Sequence, residues 1–231
     1  MPAKNSIKSY VSDGYYHIYN RGVEKRIIFQ DAQDYAVFLS YVKEYLEPKD
    51  EKALRRRLAD PKVSSEEKSK ILKTLHLNNF SGSVQLLAYC LMPNHFHLLI
   101  KQKEETVISQ FMNSLCTRYT MYFNRKYKRV GGLYQDIYKA VLVESDEQLL
   151  YLSRYIHRNP LALQGQPLQM LLQQPSSYPD YLGKRKTAWV FSNEILSFFS
   201  RKNPRLSYDT FVTGVEDSAI ISRIILDDQD A

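Results

Sequence analysis

The sequence predicts an α+β protein: a ferredoxin-like split βαββαβ sheet, an extra helix after it, a charged helical insertion and a small helical C-terminal extension. Three observations predict this. Runs of β-branched and aromatic residues stand at 15–20, 84–91, 95–101 and 139–144. Apolar residues at helical spacing fill the intervals after the first and third runs. Met92-Pro93-Asn94 joins the second and third runs as a tight turn, so they read as a hairpin.

The elements follow in order. Tyr15 to Asn20 (YYHIYN) is the first strand. Asp31 is an N-cap, and Tyr35, Phe38, Leu39, Val42 and Leu46 after it form the inner stripe of a helix. Residues 48–82 are dense in both charge signs and carry prolines at 48 and 61, so they read as a solvated helical insertion. The hairpin strands follow. From Thr106 a long helix places Ile108, Phe111, Met112, Leu115, Tyr119, Tyr122 and Phe123 on one face. Gly131-Gly132 breaks the chain before the fourth strand, Lys139 to Glu144. Ser145-x-x-Gln148 is a capping box for the extra helix, which should stop near Arg158 because a residue before proline avoids the α region. The order matches the split βαβ pattern, with residues 1–165 as the core. Residues 166–231 read as the extension, with short helices around 193–200, 207–213 and 218–226.

Composition excludes several classes. With 44% apolar and 25% charged residues, the composition of this chain of 231 residues argues against wholesale disorder. No run approaches 18 apolar residues, so no membrane span is expected. Two cysteines are too few for a disulfide framework, and no apolar h-region opens the chain; both fit a cytoplasmic protein. The formal charge is +7 and there are 18 tyrosines. Basic charge attracts phosphate chains and aromatic rings stack on unpaired bases, although tyrosines can equally be packing residues.

Two constellations could carry chemistry. His95 and His97 lie at i and i+2 on a strand and share a face, so they could hold one metal ion, while Phe96 points into the core. On the extra helix, Leu149, Leu152 and Ile156 form an apolar stripe, and Tyr151, Tyr155 and Asn159 lie at i, i+4 and i+8 beside it. A carboxamide oxygen with two imidazoles makes a partly open site for Mg²⁺ or Mn²⁺, and a tyrosine one turn away could attack a phosphate held there. Taken singly, each feature also has an ordinary reading: surface histidines, packed tyrosines, a capping asparagine. Between 118 and 139, six cations stand against one acid with tyrosines interleaved. Arg118, Arg125, Lys126, Lys128 and Arg129 are candidate phosphate contacts, with Arg21 after the first strand, and Tyr127 and Tyr134 are candidate stacking residues. His17 reads as a packed or phosphate-touching residue, or a helper of the nucleophile.

MPNHFHLLI (92–100) resembles the His-hydrophobic-His motif of single-tyrosine HUH transposases, and YLSRYIHRNPL (151–161) resembles their nucleophile helix. The REP-associated tyrosine transposase branch is the nearer likeness, through YHIYNRG (16–22), GGLYQDIYKAVLVESDEQLLYLSRYIHRNP (131–160) and SSYPDYLG (176–183); the insertion has no counterpart. The resemblance implies that His95, His97 and Asn159 hold a divalent metal and that Tyr155 is the nucleophile, forming a 5′-phosphotyrosine. It implies a single-stranded DNA partner with a hairpin or palindromic repeat, and it allows a homodimer. Tyr151 departs from the single-tyrosine pattern: its spacing to Tyr155 occurs in two-tyrosine replication initiators. A binder of hairpin nucleic acid without the reaction is a further alternative.

Overall fold

The computed structural model describes residues 10–161 and 168–214. Four strands, β1 (Tyr15–Arg21), β2 (Val84–Met92), β3 (His95–Gln102) and β4 (Lys139–Val143), form one antiparallel sheet in the order β2-β3-β1-β4. This is the order a split βαββαβ chain requires, because β1 must separate β3 from β4.

Each face of the sheet carries its own layer. Strand side chains alternate, so Tyr16 and Ile18 of β1 and Phe96, Leu98 and Ile100 of β3 face α1 (Ala32–Leu46) and α4 (Val107–Lys126). Phe38 and Val42 of α1 and Phe111, Leu115 and Tyr119 of α4 complete that core. The opposite face receives α5 (Asp146–Arg158), where Leu149, Leu152 and Ile156 are buried. A register shift between Leu86 and Ala88 lets β2 supply Val84, Leu86, Tyr89 and Leu91 to the first layer and Leu87, Ala88, Cys90 and Met92 to the second. Between β1 and β2 the chain makes α2 (Glu51–Ala59) and α3 (Ser65–His76), tied by the Arg57–Glu67 ion pair. Among the described residues no helix is long and apolar enough to cross a membrane.

The expected caps form. Asp31 accepts from the Asp34 amide, and Ser145 accepts from the Gln148 amide at 3.2 Å. Gln148 reaches back to the Glu144 amide, one residue before the cap. α5 ends at Arg158 as expected, but not because the residue before the proline leaves the α region. Asn159 keeps α-region angles (φ −49°, ψ −36°) despite preceding Pro160, and the chain runs on as a 3₁₀ turn over Asn159–Leu161. Asn159 therefore stays one helical turn beyond Tyr155 on the same side. Expected helices around 193–200 and 207–213 appear as α8 (Asn193–Leu196) and α9 (Tyr208–Thr213), after α6 (Met170–Gln173) and α7 (Tyr178–Tyr181). The expected helix at 218–226 and the boundary near 165 lie outside the described residues. The extension packs Leu171, Tyr178, Tyr181, Ile195, Tyr208 and Val212 into the layer that holds α5.

One buried charge joins α1 to α4. Asp34 is fully buried and accepts from the Gln30 amide (2.8 Å), Lys126 Nζ (2.7 Å), Tyr122 Oη (2.9 Å) and Tyr127 Oη (2.8 Å). Burial works against its charge, yet the bonds from Lys126, the Gln30 amide, Tyr127 and Tyr122 prevail and hold the carboxyl below its usual range. Asp34→Ala removes all four acceptor contacts and is expected to cost about 3 kcal/mol, or about 6–12 °C in Tm. A thermal melt checks this; an unchanged midpoint would mean the network contributes nothing.

Candidate active site

The site forms at the end of the sheet where β3 begins. Antiparallel pairing sets Tyr19 opposite His97 and Arg21 opposite His95, all on the face covered by α5. His17 is one diagonal step from His97 on that face. Gly22 lies just beyond, where a Cβ would come within 2.2 Å of the Arg26 carbonyl oxygen. Only glycine lets the following loop close against the Asn94 carbonyl, which accepts the Gly22 amide at 2.8 Å.

At the site, the sheet and the end of α5 meet through His95, His97, Tyr155 and Asn159. Asn159 Oδ1 lies 3.1 Å from His95 Nε2, and Asn159 Nδ2 lies 3.2 Å from His97 Nε2. Tyr155 presents its ring edge-on to His97, with centroids 5.4 Å apart and planes at 81°, and lies 6.0 Å from the His17 ring. The four residues read from sequence as one constellation are thus neighbours within a single chain.

The donor chemistry fits a divalent ion. Neighbouring donors around a six-coordinate ion with bonds of about 2.1 Å lie roughly 3.0 Å apart, close to the 3.1 Å between Asn159 Oδ1 and His95 Nε2. Each imidazole is also backed at its other nitrogen, as metal-ligating histidines usually are. Asn94 Oδ1 is 2.6 Å from His95 Nδ1, and His17 Nε2 is 2.9 Å from His97 Nδ1. Burial pushes His17 down to about 3 and, with its histidine neighbours, holds His97 well below the usual imidazole range. Both rings are therefore neutral near pH 7, with lone pairs available. Among the described residues no three His, Cys, Asp or Glu side chains gather as a metal site; the third donor here is a carboxamide.

The basic residues divide. Arg21 shares the face of His95, and its Nε is a buried donor with no hydrogen-bond partner among the described residues. Arg125 and Lys128 are exposed, and Arg129 donates to Asn124 Oδ1 at 2.9 Å. The others have partners inside the protein. Arg118 pairs with Glu44 at 2.8 Å and stacks 3.8 Å over the Tyr41 ring. Lys126 is neutralised by Asp31 and Asp34, and Tyr127 donates to Asp34. Tyr134 packs edge-on against Phe96 at 5.9 Å. The expected groove is therefore open chiefly at Arg125, Lys128 and Arg129. Tyr151 turns away from the histidines and packs its ring on Phe211, 5.5 Å between centroids.

Sequence reasoning gave no role to the polar residues that fasten α5. His157 is fully buried, with Nδ1 2.7 Å from Tyr208 Oη and Nε2 2.7 Å from Ser177 Oγ. Arg154 donates to the Gly214 carbonyl and Arg158 to the Val212 carbonyl, each at 2.7 Å. The extension thus holds the helix that carries Tyr155. Burial pushes His157 down to about 3, against about 6.5 in an unfolded chain. A depressed histidine contributes stability that is intact above pH 6.5 and is lost as pH falls toward 3. Acidification from pH 7.5 to 5 should therefore cost about 2 kcal/mol at this residue. Melts at both pH values check it: His157→Gln should shrink the difference, and an equal difference would contradict the assignment.

Residues 53–159 match the family model of the IS200-like transposases. The fold agrees with that of a REP-associated tyrosine transposase solved bound to a REP hairpin: TM-score 0.50, 12% identity, covering 78% of this chain and 86% of that one. A structure of a candidate transposase from Deinococcus radiodurans R1 also aligns, with TM-score 0.28, 16% identity and coverage of 67% and 96%. No curated protein matches the chain.

Proposed function

We propose that this protein cleaves and rejoins single-stranded DNA beside hairpin or palindromic elements, with Tyr155 as nucleophile. The observation that carries this reading is the placement of Tyr155 edge-on to His97 while Asn159 touches both His95 and His97. His95, His97 and Asn159 would hold Mg²⁺ or Mn²⁺. When bound, the ion would polarise the scissile phosphate and offset the charge that develops on it. Arg21, beside His95 on the same sheet face, would hold a phosphate oxygen with its guanidinium. The Tyr155 oxygen bonds to phosphorus as the bond from phosphorus to O3′ breaks. The phenol gives up a proton and the 3′ oxygen gains one, leaving a 5′-phosphotyrosine and a 3′-OH. One phosphodiester replaces another, so a second 3′-OH can reverse the step without ATP.

The transposase of similar fold was solved with a REP hairpin, which supports a hairpin partner here. Arg125, Lys128 and Arg129 would follow the backbone of that strand. The position of Tyr151 against Phe211 favours one nucleophile over two. A cytoplasmic setting fits the free Cys90 and Cys116. Incubation with Mn²⁺ and a labelled single strand carrying a REP-type hairpin should yield a denaturant-resistant adduct. Its absence across hairpin substrates that the protein binds would overturn the reading. Binding should weaken steeply with salt, and Arg125→Ala or Lys128→Ala should each lower the salt slope by about 1.

A further inference from the structure

We propose that His17 is a positioning residue: its Nε2 accepts the Nδ1 proton of His97 and so keeps the Nε2 lone pair of His97 directed at Asn159 and the space beside Tyr155. The inference rests on reading His95, His97 and Asn159 as ligands, and it adds a fourth residue, from another strand, to that site.

Three observations support it. His17 is 4% exposed, and an imidazole buried on a sheet face costs free energy unless its nitrogens are bonded. A valine or leucine would fill the place without that cost. The ring packs against two others, 4.7 Å from Tyr19 and 5.1 Å from His97 between centroids. That nitrogen lies 2.9 Å from His97 Nδ1.

The protons along the chain of contacts then follow. Asn159 Nδ2 is a donor and lies 3.2 Å from His97 Nε2, so Nε2 must offer a lone pair. A neutral imidazole with a lone pair on Nε2 carries its proton on Nδ1. The group facing Nδ1 must then accept, and that group is His17 Nε2. His95 faces the other end of the same carboxamide, its Nε2 3.1 Å from Asn159 Oδ1, with Asn94 Oδ1 2.6 Å from its Nδ1. Each histidine thus has a polar neighbour at Nδ1, His95 one adjacent in sequence and His97 one across the sheet. Were the Asn159 carboxamide turned end for end, every proton would reverse and His97 would present N–H to the site.

Nitrogen-15 NMR of the metal-free protein, labelled at histidine, reads the tautomer directly. The expected result is His97 protonated at Nδ1 in the unaltered protein. His17→Gln places a carboxamide oxygen near the former Nε2 and should keep that tautomer. His17→Phe keeps a ring but no acceptor, and should let protonation at Nε2 appear. Mn²⁺ affinity, read from free Mn²⁺ by electron paramagnetic resonance, should fall about tenfold in His17→Phe and recover in His17→Gln. Protonation of His97 at Nε2 in the unaltered protein overturns the proposal, as does equal Mn²⁺ affinity in His17→Phe. The tautomer decides the case even if His17→Phe fails to fold. An unaltered protein that binds no Mn²⁺ would instead defeat the ligand reading, while the tautomer would still judge His17.

Discussion

Tyr155→Phe is expected to abolish the covalent adduct and to lower strand cleavage by about 10⁴-fold or more, with hairpin affinity unchanged. The substitution removes one oxygen and keeps the ring. Tyr155 is half-buried and meets His97 and His17 through the ring, at 5.4 and 6.0 Å, so those contacts persist in phenylalanine. The helix is held elsewhere, by Leu149, Leu152 and Ile156 on the sheet and by Arg154, His157 and Arg158 on the extension. Loss of activity would therefore report chemistry rather than misfolding. Cleavage of a 5′-labelled strand in single turnover, beside hairpin binding measured without metal, checks it. Cleavage at the original rate would remove Tyr155 from the mechanism.

The second large effect belongs to the histidines. His97→Ala should lower cleavage roughly a thousandfold, the equivalent of about 4 kcal/mol of transition-state stabilisation. The alanine removes one of two imidazoles and leaves Asn159 Nδ2 without its acceptor. His95→Ala should act in the same direction, at less cost to folding because His95 is only half-buried while His97 is 2% exposed. Since the two act through one site, the double variant should be little worse than the poorer single one. Mn²⁺ affinity should fall in parallel with cleavage. A His97→Ala protein that cleaves normally in Mn²⁺ would show that the pair holds no catalytic ion.

Much of this was legible in the sequence because each strand and helix carries its own periodicity. Phe38 and Val42, Phe111 and Leu115, and Leu149, Leu152 and Ile156 announce their inner faces by spacing alone. The spacing of His95 and His97, and of Tyr155 and Asn159, likewise puts each pair on one side of its element. What spacing does not carry is the relation between elements. His17 could not be joined to His97 without the register that sets Tyr19 opposite His97. Lys126 and Tyr127 look like members of a basic aromatic groove until α1 brings Asp34 under them. Arg154 and His157 look solvent-facing on a helix whose second covering layer comes from residues some twenty to sixty positions later. Asn159 defied a local rule, keeping α-region angles before Pro160 at the point where the chain must hold a carboxamide against two imidazoles.

The central claim is that one phenolic oxygen of one chain takes the phosphate. Trypsin separates the two tyrosines of α5, since cleavage after Lys139, Arg154 and Arg158 leaves Tyr151 in the peptide 140–154 and Tyr155 in the peptide 155–158. Mass spectrometry of the digested, nuclease-trimmed adduct should find the nucleotide on 155–158 alone. Nucleotide on 140–154, or on neither peptide, would contradict the assignment of Tyr155.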